Sequence, residues 1–357
     1  MMHISVISAG ELTAEQAAIW SQIQRDDPTL ESPYFRPEFT RAAADICPRV
    51  EVGLLESRDD VVGFFPFQRS RWNTARPVGS PMSDFHGLIL RPGFGINAEE
   101  LTRACGLQAW HFDHVLAEQN TFRPYHCHVS ASPYMDLAGG FDAYCASRKA
   151  AGSNVIKQVR RKARQLERAC GPLRCELHAD AETVFEKLLE WKSNQYRRTG
   201  VPDVFRYRWT VSLLQRVLQE RSDSFSGMLS ALYAGERLAA VDLGLRSYGA
   251  LHSWFPAYDP ELRKFSPGNV LLLRVAEAAP SIGVQRIHLG KGSEAYKARF
   301  MSGEIALAEG TVENGALRRV VRRNWYRARE WARSSTLRSA LPTRMLTPLR
   351  EWIALRP

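Results

Sequence analysis

The chain has 357 residues, of which 45% are hydrophobic and 24% are charged. These proportions are typical of a folded globular protein of about two domains, and they exclude a disordered or collagen-like chain. No apolar run of the sequence approaches the roughly 20 residues that span a bilayer, and the first residues lack the basic and apolar regions of a signal peptide. We therefore expect a cytoplasmic protein, which at most binds peripherally to the inner membrane.

The formal net charge of +10 is unevenly distributed along the chain. Residues 313–357 include 11 arginines and three acidic residues, which gives +8, so the 312 residues before them carry only +2. General binding of nucleic acid requires a basic face on the folded body of a protein. The distribution therefore argues against general nucleic-acid binding.

The cysteines and histidines do not predict a metal site. The six cysteines form no Cys-x-x-Cys pair, and in a cytosolic chain they are typical of small buried side chains. His111, His114, His126, Cys127 and His128 are concentrated in one stretch, but their spacing matches no strong metal-binding pattern. We therefore expect no bound metal.

The first half of the sequence predicts a β-hairpin. Apolar, strand-like residues at 50–56 and 61–68 flank a polar turn at 57–60. The same pattern returns in the second half, where strands at 227–233 and 237–246 flank a short Ala-Gly-Glu turn. A duplicated α/β domain accounts for both hairpins.

A strongly amphipathic helix is predicted over 153–170. Its apolar stripe consists of Ile156, Val159, Ala163, Leu166 and Cys170. Its basic face consists of Lys157, Arg161, Arg164 and Arg168. The basic face is either a solvated surface or a wall for an anionic substrate or a coenzyme phosphate, and the sequence leaves both interpretations open.

The elements after the second hairpin follow a defined order. A third strand at 250–255 leads into a loop, and the next helix begins near Asn269 and ends before Pro280. The other predicted elements are helices at 181–198 and 208–221, a strand at 285–289, a short helix at 293–300 and a closing strand at 304–308.

The loop before the helix at Asn269 has the properties of a phosphate site. The free amides and the dipole of a helix N-terminus favour anions, and Arg263 and Lys264 add positive charge. Pro267 shapes the turn, while Gly268 lets a phosphate approach the backbone closely. In this order of strands we interpret the loop as a pyrophosphate site and not as an ordinary helix start.

Several sequence blocks within 141–303 resemble a known family. The most specific are Ala-Tyr-Asp at 257–259 with Ser-Pro-Gly at 266–268, and Leu-Gly-Lys-Gly-Ser-Glu-Ala-Tyr-Lys at 289–297. A further block runs over 191–200. Through them the chain resembles GNAT-superfamily acyltransferases of the CelD/BcsL (cellulose-biosynthesis acetyltransferase-like) family, which is related to the FemAB peptidyltransferases and to the holdfast-modifying N-acetyltransferase.

The resemblance implies an α/β fold with tandem GNAT-like domains, each a mixed, mostly antiparallel sheet flanked by helices. It implies a degenerate N-terminal domain over 1–140 and an acyl-CoA-binding domain over 141–312. The residue pattern itself predicts an Arg-rich tail over 313–357 that is helical in part. Because the first domain lacks a matching Ser-Pro-Gly loop, we expect it to shape the acceptor cleft.

The resemblance also implies the substrates. The donor is acetyl-CoA or another acyl-CoA, and the acceptor is an amine or a hydroxyl, typically on an amino sugar of a cell-surface polysaccharide or its lipid-linked precursor. The residues expected to hold the coenzyme are Arg263, Lys264, Phe265, Ser266, Pro267, Gly268 and Asn269.

Direct transfer in a ternary complex, as the resemblance implies, requires groups that move protons and stabilise an oxyanion. The catalytic candidates near the ends of the central strands are Asp242, His252, His288, Glu294, Tyr296 and Lys297. Members of the family often carry an acidic residue where this chain has His288, so the general base remains open.

Structural alternatives exist for these candidates. His252 near Asp242 is either an oriented general base or a structural histidine. Glu294 and Lys297 are three residues apart on a helix, which is also the spacing of a surface ion pair. Tyr296 suits either a general acid for the leaving thiolate or a core aromatic position.

The tail supports a second hypothesis, a binding effector. Guanidinium pairs chelate phosphates, and arginine and aromatic side chains stack on bases. The candidate phosphate-binding residues are Arg318, Arg319, Arg322, Arg323 and Arg327. The partner would be a cyclic dinucleotide or an anionic inner-membrane surface, and a solvated tail is the alternative.

A third hypothesis is a FemAB-like transferase that takes its acyl group from aminoacyl-tRNA. The near-neutral body of the chain and the lack of an inserted coiled-coil arm in the sequence disfavour it.

Overall fold

The computed structural model describes residues 2–58, 60–179, 182–292 and 294–314, which form two compact units. The first unit contains the described residues up to Leu30, Phe39–Ser130 and the described residues from Ala306 to Asn314. The second contains Glu31–Glu38 and Ala131–Ile305. The tail candidates that lie outside the described residues are Arg318, Arg319, Arg322, Arg323 and Arg327.

The secondary structure alternates between strands and helices. The strands are β1 (His3–Ser8), β2 (Val50–Ser57), β3 (Asp60–Arg69), β4 (Thr74–Arg76), β5 (Ile89–Leu90), β6 (Ala109–Leu116), β7 (His126–Asp136), β8 (Leu173–Glu176), β9 (Ser226–Ala234), β10 (Arg237–Ser247), β11 (Ala250–Tyr258), β12 (Arg286–His288) and β13 (Gly303–Glu313). The α-helices are α1 (Ala14–Asp26), α2 (Pro37–Ile46), α3 (Ala98–Ala104), α4 (Phe141–Ala150), α5 (Val155–Cys170), α6 (Glu182–Thr199), α7 (Arg208–Leu218), α8 (Pro267–Ala278) and α9 (Ala295–Phe300).

The first unit is built on a mixed sheet with the strand order β1-β2-β3-β4-β6-β13, and β5 pairs with β3. Its pairs are antiparallel apart from the parallel pair β4 and β6. Aromatic side chains dominate its core, where Trp110 lies 4.9 Å from Phe65 and 4.8 Å from Phe122 between ring centroids. The predicted first hairpin is confirmed as β2 and β3.

The second unit is built on a mixed sheet with the strand order β7-β12-β11-β10-β9-β8. Only β11 and β12 run parallel among the described pairs of this sheet, because α8 connects them as a crossover. The predicted second hairpin is confirmed as β9 and β10. The predicted fold class, α/β with mixed, mostly antiparallel sheets flanked by helices, is therefore confirmed.

Two helices, α5 and α8, form the hydrophobic core of the second unit together with its sheet. The predicted stripe of α5 is buried at Val159, Ala163 and Leu166. Helix α8 begins at Pro267, two residues earlier than predicted, because proline is well suited to a first helical turn. It ends at Ala278 before a 3₁₀ turn that contains Pro280.

No helix within the described ranges combines the length and the apolar character that crossing a bilayer requires.

Candidate active site

The parallel strands β11 and β12 pair over only three residues, and the last pair is His252 with His288. Strand β12 ends there, whereas β11 continues to Tyr258, three residues beyond the predicted end of this strand. An extended strand segment beyond the end of its neighbour can accept a further extended chain by backbone hydrogen bonds. The second unit therefore has an opening in its sheet that begins at these two histidines.

A β-bulge marks the start of this opening. In the antiparallel ladder of β10 and β11, Gly244 lies opposite Ser253 and Leu243 opposite Phe255, so Trp254 is the extra residue. A bulge removes backbone groups from the ladder and re-aims them. An oxyanion would need backbone amide donors of the kind that a bulge displaces from the ladder.

Asp242 on β10 lies against this bulge. Ser253 Oγ donates a 2.5 Å hydrogen bond to Asp242 Oδ2. Burial raises the pKa of Asp242 to about 6, although hydrogen bonds from Ser253 and the Phe255 amide and electrostatic interactions with Lys192 and His252 oppose the shift. In the part of the chain that the structure describes, no hydrogen bond reaches the other oxygen, Asp242 Oδ1, which is buried. That oxygen is available to accept a proton.

Lys192, which sequence reasoning did not select, completes the polar group around Asp242. From helix α6 its Nζ donates a 3.1 Å hydrogen bond to the Pro256 carbonyl, on the part of β11 that extends beyond the end of β12. Burial lowers the pKa of Lys192 to about 8, against the effect of the Asp242 carboxylate. The signal was present in the sequence, because Lys192 falls inside the family-like block at 191–200.

The two strand-end histidines form a second, adjacent group. Both are fully buried, and their rings stack with centroids 6.2 Å apart. Tyr34 contacts His252 edge-to-face at 5.1 Å, and Glu31 Oε1 lies 3.2 Å from His288 Nε2. The strand register places His252 opposite Leu245, not opposite Asp242.

Glu31 is also held by Arg286, whose Nη1 donates a 2.5 Å hydrogen bond to Glu31 Oε1. Burial alone would raise the pKa of Glu31, but the hydrogen bond and charge of His288 and the charge of Arg286 outweigh it and lower the pKa. Burial lowers the pKa of His288. The hydrogen bond and charge of Glu31 oppose this shift of His288, so the two side chains are electrostatically coupled.

We expect Glu31→Gln to lower the free energy of unfolding by about 1–3 kcal/mol, because it removes the negative charge that Arg286 and His288 contact. Since the pKa of Glu31 is lowered in the folded chain, its stabilisation is complete at pH 7 and is lost as the pH falls through that lowered pKa. Urea denaturation of both chains at pH 7 and in acid measures this difference.

The matched control is Glu277→Gln, because Glu277 pairs with Arg274 at the surface and both side chains are 45% exposed. We expect a change of less than about 0.5 kcal/mol there. Equal destabilisation by both substitutions would contradict the role assigned to Glu31.

The predicted residues of α9 lie close to the same opening. Lys297 is buried and donates to the carbonyls of Gly290 and Lys291 at 3.2 and 3.1 Å, and its Nζ is 3.0 Å from Glu294 Oε2. The i, i+3 ion pair is therefore present. Tyr296 packs against the core of the unit, and burial followed by the charges of Glu294 and Asp242 raises its pKa, which keeps the phenol protonated.

The predicted coenzyme loop forms a short 3₁₀ helix, Pro260–Phe265, capped by the Asp259 side chain. Arg237 fixes Asp259 with a 2.5 Å ion pair. Ser266 then takes a left-handed conformation with φ 54°, and its carbonyl accepts from the amides of Asn269 and Val270. Pro267 has no amide hydrogen, so the Gly268 amide is the candidate anion donor in the first turn of α8.

An open cleft of about 530 Å³ lies beside this loop. Its lining residues are Lys162, Gln165, Arg168, Ala169, Lys264 and Phe265. Lys162 also connects α5 to the coenzyme loop, because its Nζ donates a 2.6 Å hydrogen bond to the Lys264 carbonyl. The cleft thus joins part of the basic surface of α5 to the coenzyme loop.

Comparison with known proteins identifies the class of this unit. Residues 153–298 match the family described as an acetyltransferase (GNAT) domain. The predicted GNAT-type domain and the predicted class of enzyme, an acyltransferase, are confirmed at this level. No curated protein matches the sequence.

Solved structures resemble most of the chain in fold. FemX is 9% identical with a TM-score of 0.58, over 89% of this chain and 99% of that chain. A C-terminal domain assigned to a lysylphosphatidylglycerol synthetase from Agrobacterium fabrum is 11% identical with a TM-score of 0.52, over 86% and 94%. The L-PGS of Bacillus licheniformis is 10% identical with a TM-score of 0.50, over 88% and 97%. At such identities the likeness shows the fold alone.

Proposed function

We propose that the chain is an acyl-CoA-dependent N-acyltransferase, with acetyl-CoA as the favoured donor, that acts on an amino sugar of a cell-surface polysaccharide or of its lipid-linked precursor. The observation that carries the proposal is the opening beyond His252 and His288, which leads along β11 directly to the loop before α8. The pantetheine arm of the donor would lie along the part of β11 beyond the end of β12, and its pyrophosphate would lie on the loop before α8.

The reaction steps are assigned to named groups at the opening. The acceptor ammonium transfers a proton to the Asp242 carboxylate, and the resulting amine attacks the thioester carbonyl to form a C–N bond. The oxyanion accepts a hydrogen bond from the backbone at the Trp254 bulge. When the C–S bond breaks, the Tyr296 hydroxyl protonates the leaving thiolate. The second proton of the attacking nitrogen then returns to the Tyr296 oxygen, and Asp242 releases its proton to solvent.

The raised pKa of Asp242, about 6, supports its role, because it leaves the carboxylate ionised at neutral pH while keeping it a better base than an ordinary aspartate. The raised pKa of Tyr296 keeps its hydroxyl protonated and also makes it a weaker acid than free tyrosine. Lys192 beside Asp242 would position the carboxylate, and Glu31 with His288 would hold the end of β12 rigid.

The proposal is tested by incubating the full chain with acetyl-CoA and a panel of free and lipid-linked amino sugars. Released coenzyme thiol is measured with a chromogenic disulfide, and the product is identified by its added acetyl mass. N-acetylation of an amino sugar is the expected result. Transfer only in the presence of aminoacyl-tRNA, with none from any acyl-CoA, would contradict the proposed donor.

The cleft beside the loop makes a prediction about the nucleotide part of the donor. We expect Arg168→Ala to raise the KM for acetyl-CoA about fivefold, because one exposed charge contact contributes about 1 kcal/mol. The KM for acetyl-pantetheine, which lacks the nucleotide phosphates, should stay within about twofold of the wild-type value.

Arg160→Ala is the matched control, because Arg160 is also exposed on α5 but does not line the cleft. It should leave both KM values unchanged. If Arg168→Ala raised the KM for both donors equally, the cleft would not be the nucleotide site.

A further inference from the structure

A cluster of two histidines and an aspartate lies in the first unit, at His86, Asp113 and His114. Strand β6 carries Asp113 and His114, and the backbone of His86 is fastened to the same strand. The His86 amide donates to the His114 carbonyl at 2.9 Å, and the Leu116 amide donates to the His86 carbonyl at 3.2 Å. The three side chains are therefore presented from one rigid backbone ladder.

The hydrogen bonds of His86 determine which of its nitrogens carries the proton. Its Nε2 contacts Ser83 Oγ at 2.9 Å and the Ser83 carbonyl at 3.0 Å. The Ser83 hydroxyl donates its only hydrogen to the Val78 carbonyl, at 2.7 Å. Both oxygens that contact His86 Nε2 therefore act as acceptors. The proton therefore lies on His86 Nε2, and the neutral imidazole has its lone pair on Nδ1.

Two further candidate ligand atoms, from Asp113 and His114, lie near His86 Nδ1. Asp113 Oδ1 lies 3.4 Å from His86 Nδ1 and 3.2 Å from His114 Nδ1. A lone pair and a carboxylate oxygen at this distance repel one another unless a proton or a cation lies between them. His86 Nδ1 is buried and makes no hydrogen bond within the described residues. A cation between the three ligand atoms would contact all three groups.

The separations suit a small divalent cation. Zinc bonds of about 2.0–2.2 Å at tetrahedral angles place neighbouring ligand atoms about 3.3–3.5 Å apart. The 3.4 and 3.2 Å separations are close to this value, and all three ligand atoms lie within 4.8 Å of one another. Binding of the ion would require only that the ligand nitrogens of His86 and His114 move closer to each other.

The surroundings of the cluster are those of a metal site. The bond from His86 Nε2 to the Ser83 carbonyl is the outer-shell contact that orients metal-binding histidines. The Asp113 side chain is 42% exposed, which gives an ion access from solvent, whereas His86 closes the inner side. Asp84 Oδ1, 3.9 Å from His114 Nε2, adds negative charge nearby.

We propose that His86, Asp113 and His114 bind one divalent transition-metal ion, with zinc as the best fit to two imidazoles and one carboxylate. The ion would join the segment at His86 to strand β6 and leave one coordination position to solvent. The sequence drew attention to His114 within a histidine-rich stretch, but its partner His86 comes from a distant segment. The inference is independent of the proposed acyl transfer.

The test uses the full chain without an affinity tag, freed of metal with a chelator. Calorimetric titration with Zn²⁺ should give one saturable site, and Co²⁺ should give the visible absorption of a low-symmetry, imidazole-bound ion. Asp113→Asn and His114→Ala should each weaken the Kd for Zn²⁺ at least 100-fold. Both residues are partly accessible, so these variants are expected to fold.

His128→Ala is the matched control, because it removes an exposed imidazole of the same stretch that lies outside the cluster. It should leave the Kd for Zn²⁺ unchanged. Circular dichroism of each variant verifies that the fold is retained. The absence of a saturable site in the wild type, or equal affinity in the wild type and both cluster variants, would overturn the proposal.

Discussion

Gly268→Trp is expected to abolish measurable binding of acetyl-CoA, a weakening of at least 100-fold or about 2.7 kcal/mol. Gly268 lies in the first turn of α8, directly after the left-handed Ser266. An indole at this position would occupy the space in front of the helix amides, where the pyrophosphate is proposed to bind. Calorimetric titration of the wild type and the variant with acetyl-CoA measures the loss.

Gly268→Ala is the matched control for this experiment. A Cβ atom at Gly268 would have Tyr258 Cδ1 as its nearest neighbour, at an ordinary contact distance of 3.6 Å. The alanine variant should therefore fold and bind within about threefold of the wild type, since a methyl group does not fill the phosphate position. Micromolar binding retained by the tryptophan variant would place the coenzyme elsewhere.

Asp242→Asn is expected to lower kcat by about 10²–10⁴, because it removes the proposed proton acceptor while keeping the shape of the side chain. The amide still accepts the hydrogen bond of Ser253, so the bulge should persist. Affinity for acetyl-CoA should remain within a few-fold of the wild-type value. Initial rates with the acceptor identified in the assay, together with calorimetry, separate these two quantities.

The pH dependence provides a second readout for Asp242. Since its pKa is raised to about 6, the wild-type rate should fall as the pH drops through 6 and the carboxylate becomes protonated. The residual rate of the asparagine variant should lack this acid limb. Asp223→Asn, at an exposed aspartate, should preserve both the rate and the limb. A limb that survives in Asp242→Asn would assign the proton transfer to another group.

The local patterns of the sequence predicted most of the second unit. Alternating apolar residues predicted the hairpin of β9 and β10, and the helical stripe predicted α5 and the residues it buries. The Ser-Pro-Gly signal located the start of α8 to within two residues. These features depend on residues close in sequence, where spacing alone determines which side chains share a face.

The candidate site was predicted less completely, because its residues are far apart in the sequence. Lys192 from α6 contacts the part of β11 that extends beyond β12. Glu31 contacts His288 at the end of β12, and Tyr34 contacts His252 on β11, each from more than 200 residues away in the sequence. No periodicity connects such positions. Glu31 in particular precedes a short Pro-Tyr-Phe turn that gives no sign of a partner in a distant strand.

The sequence by itself thus determined the class of the fold, the hairpins, the two core helices and the loop that opens α8, because hydrophobic periodicity, prolines and glycines act over a few residues. The tertiary structure alone decided where β12 stops, which residue of β11 is bulged and which charged side chains share the opening. Those outcomes depend on strand register and on burial, which set the environment of Asp242, Lys192 and Glu31 and thereby shift their pKa values.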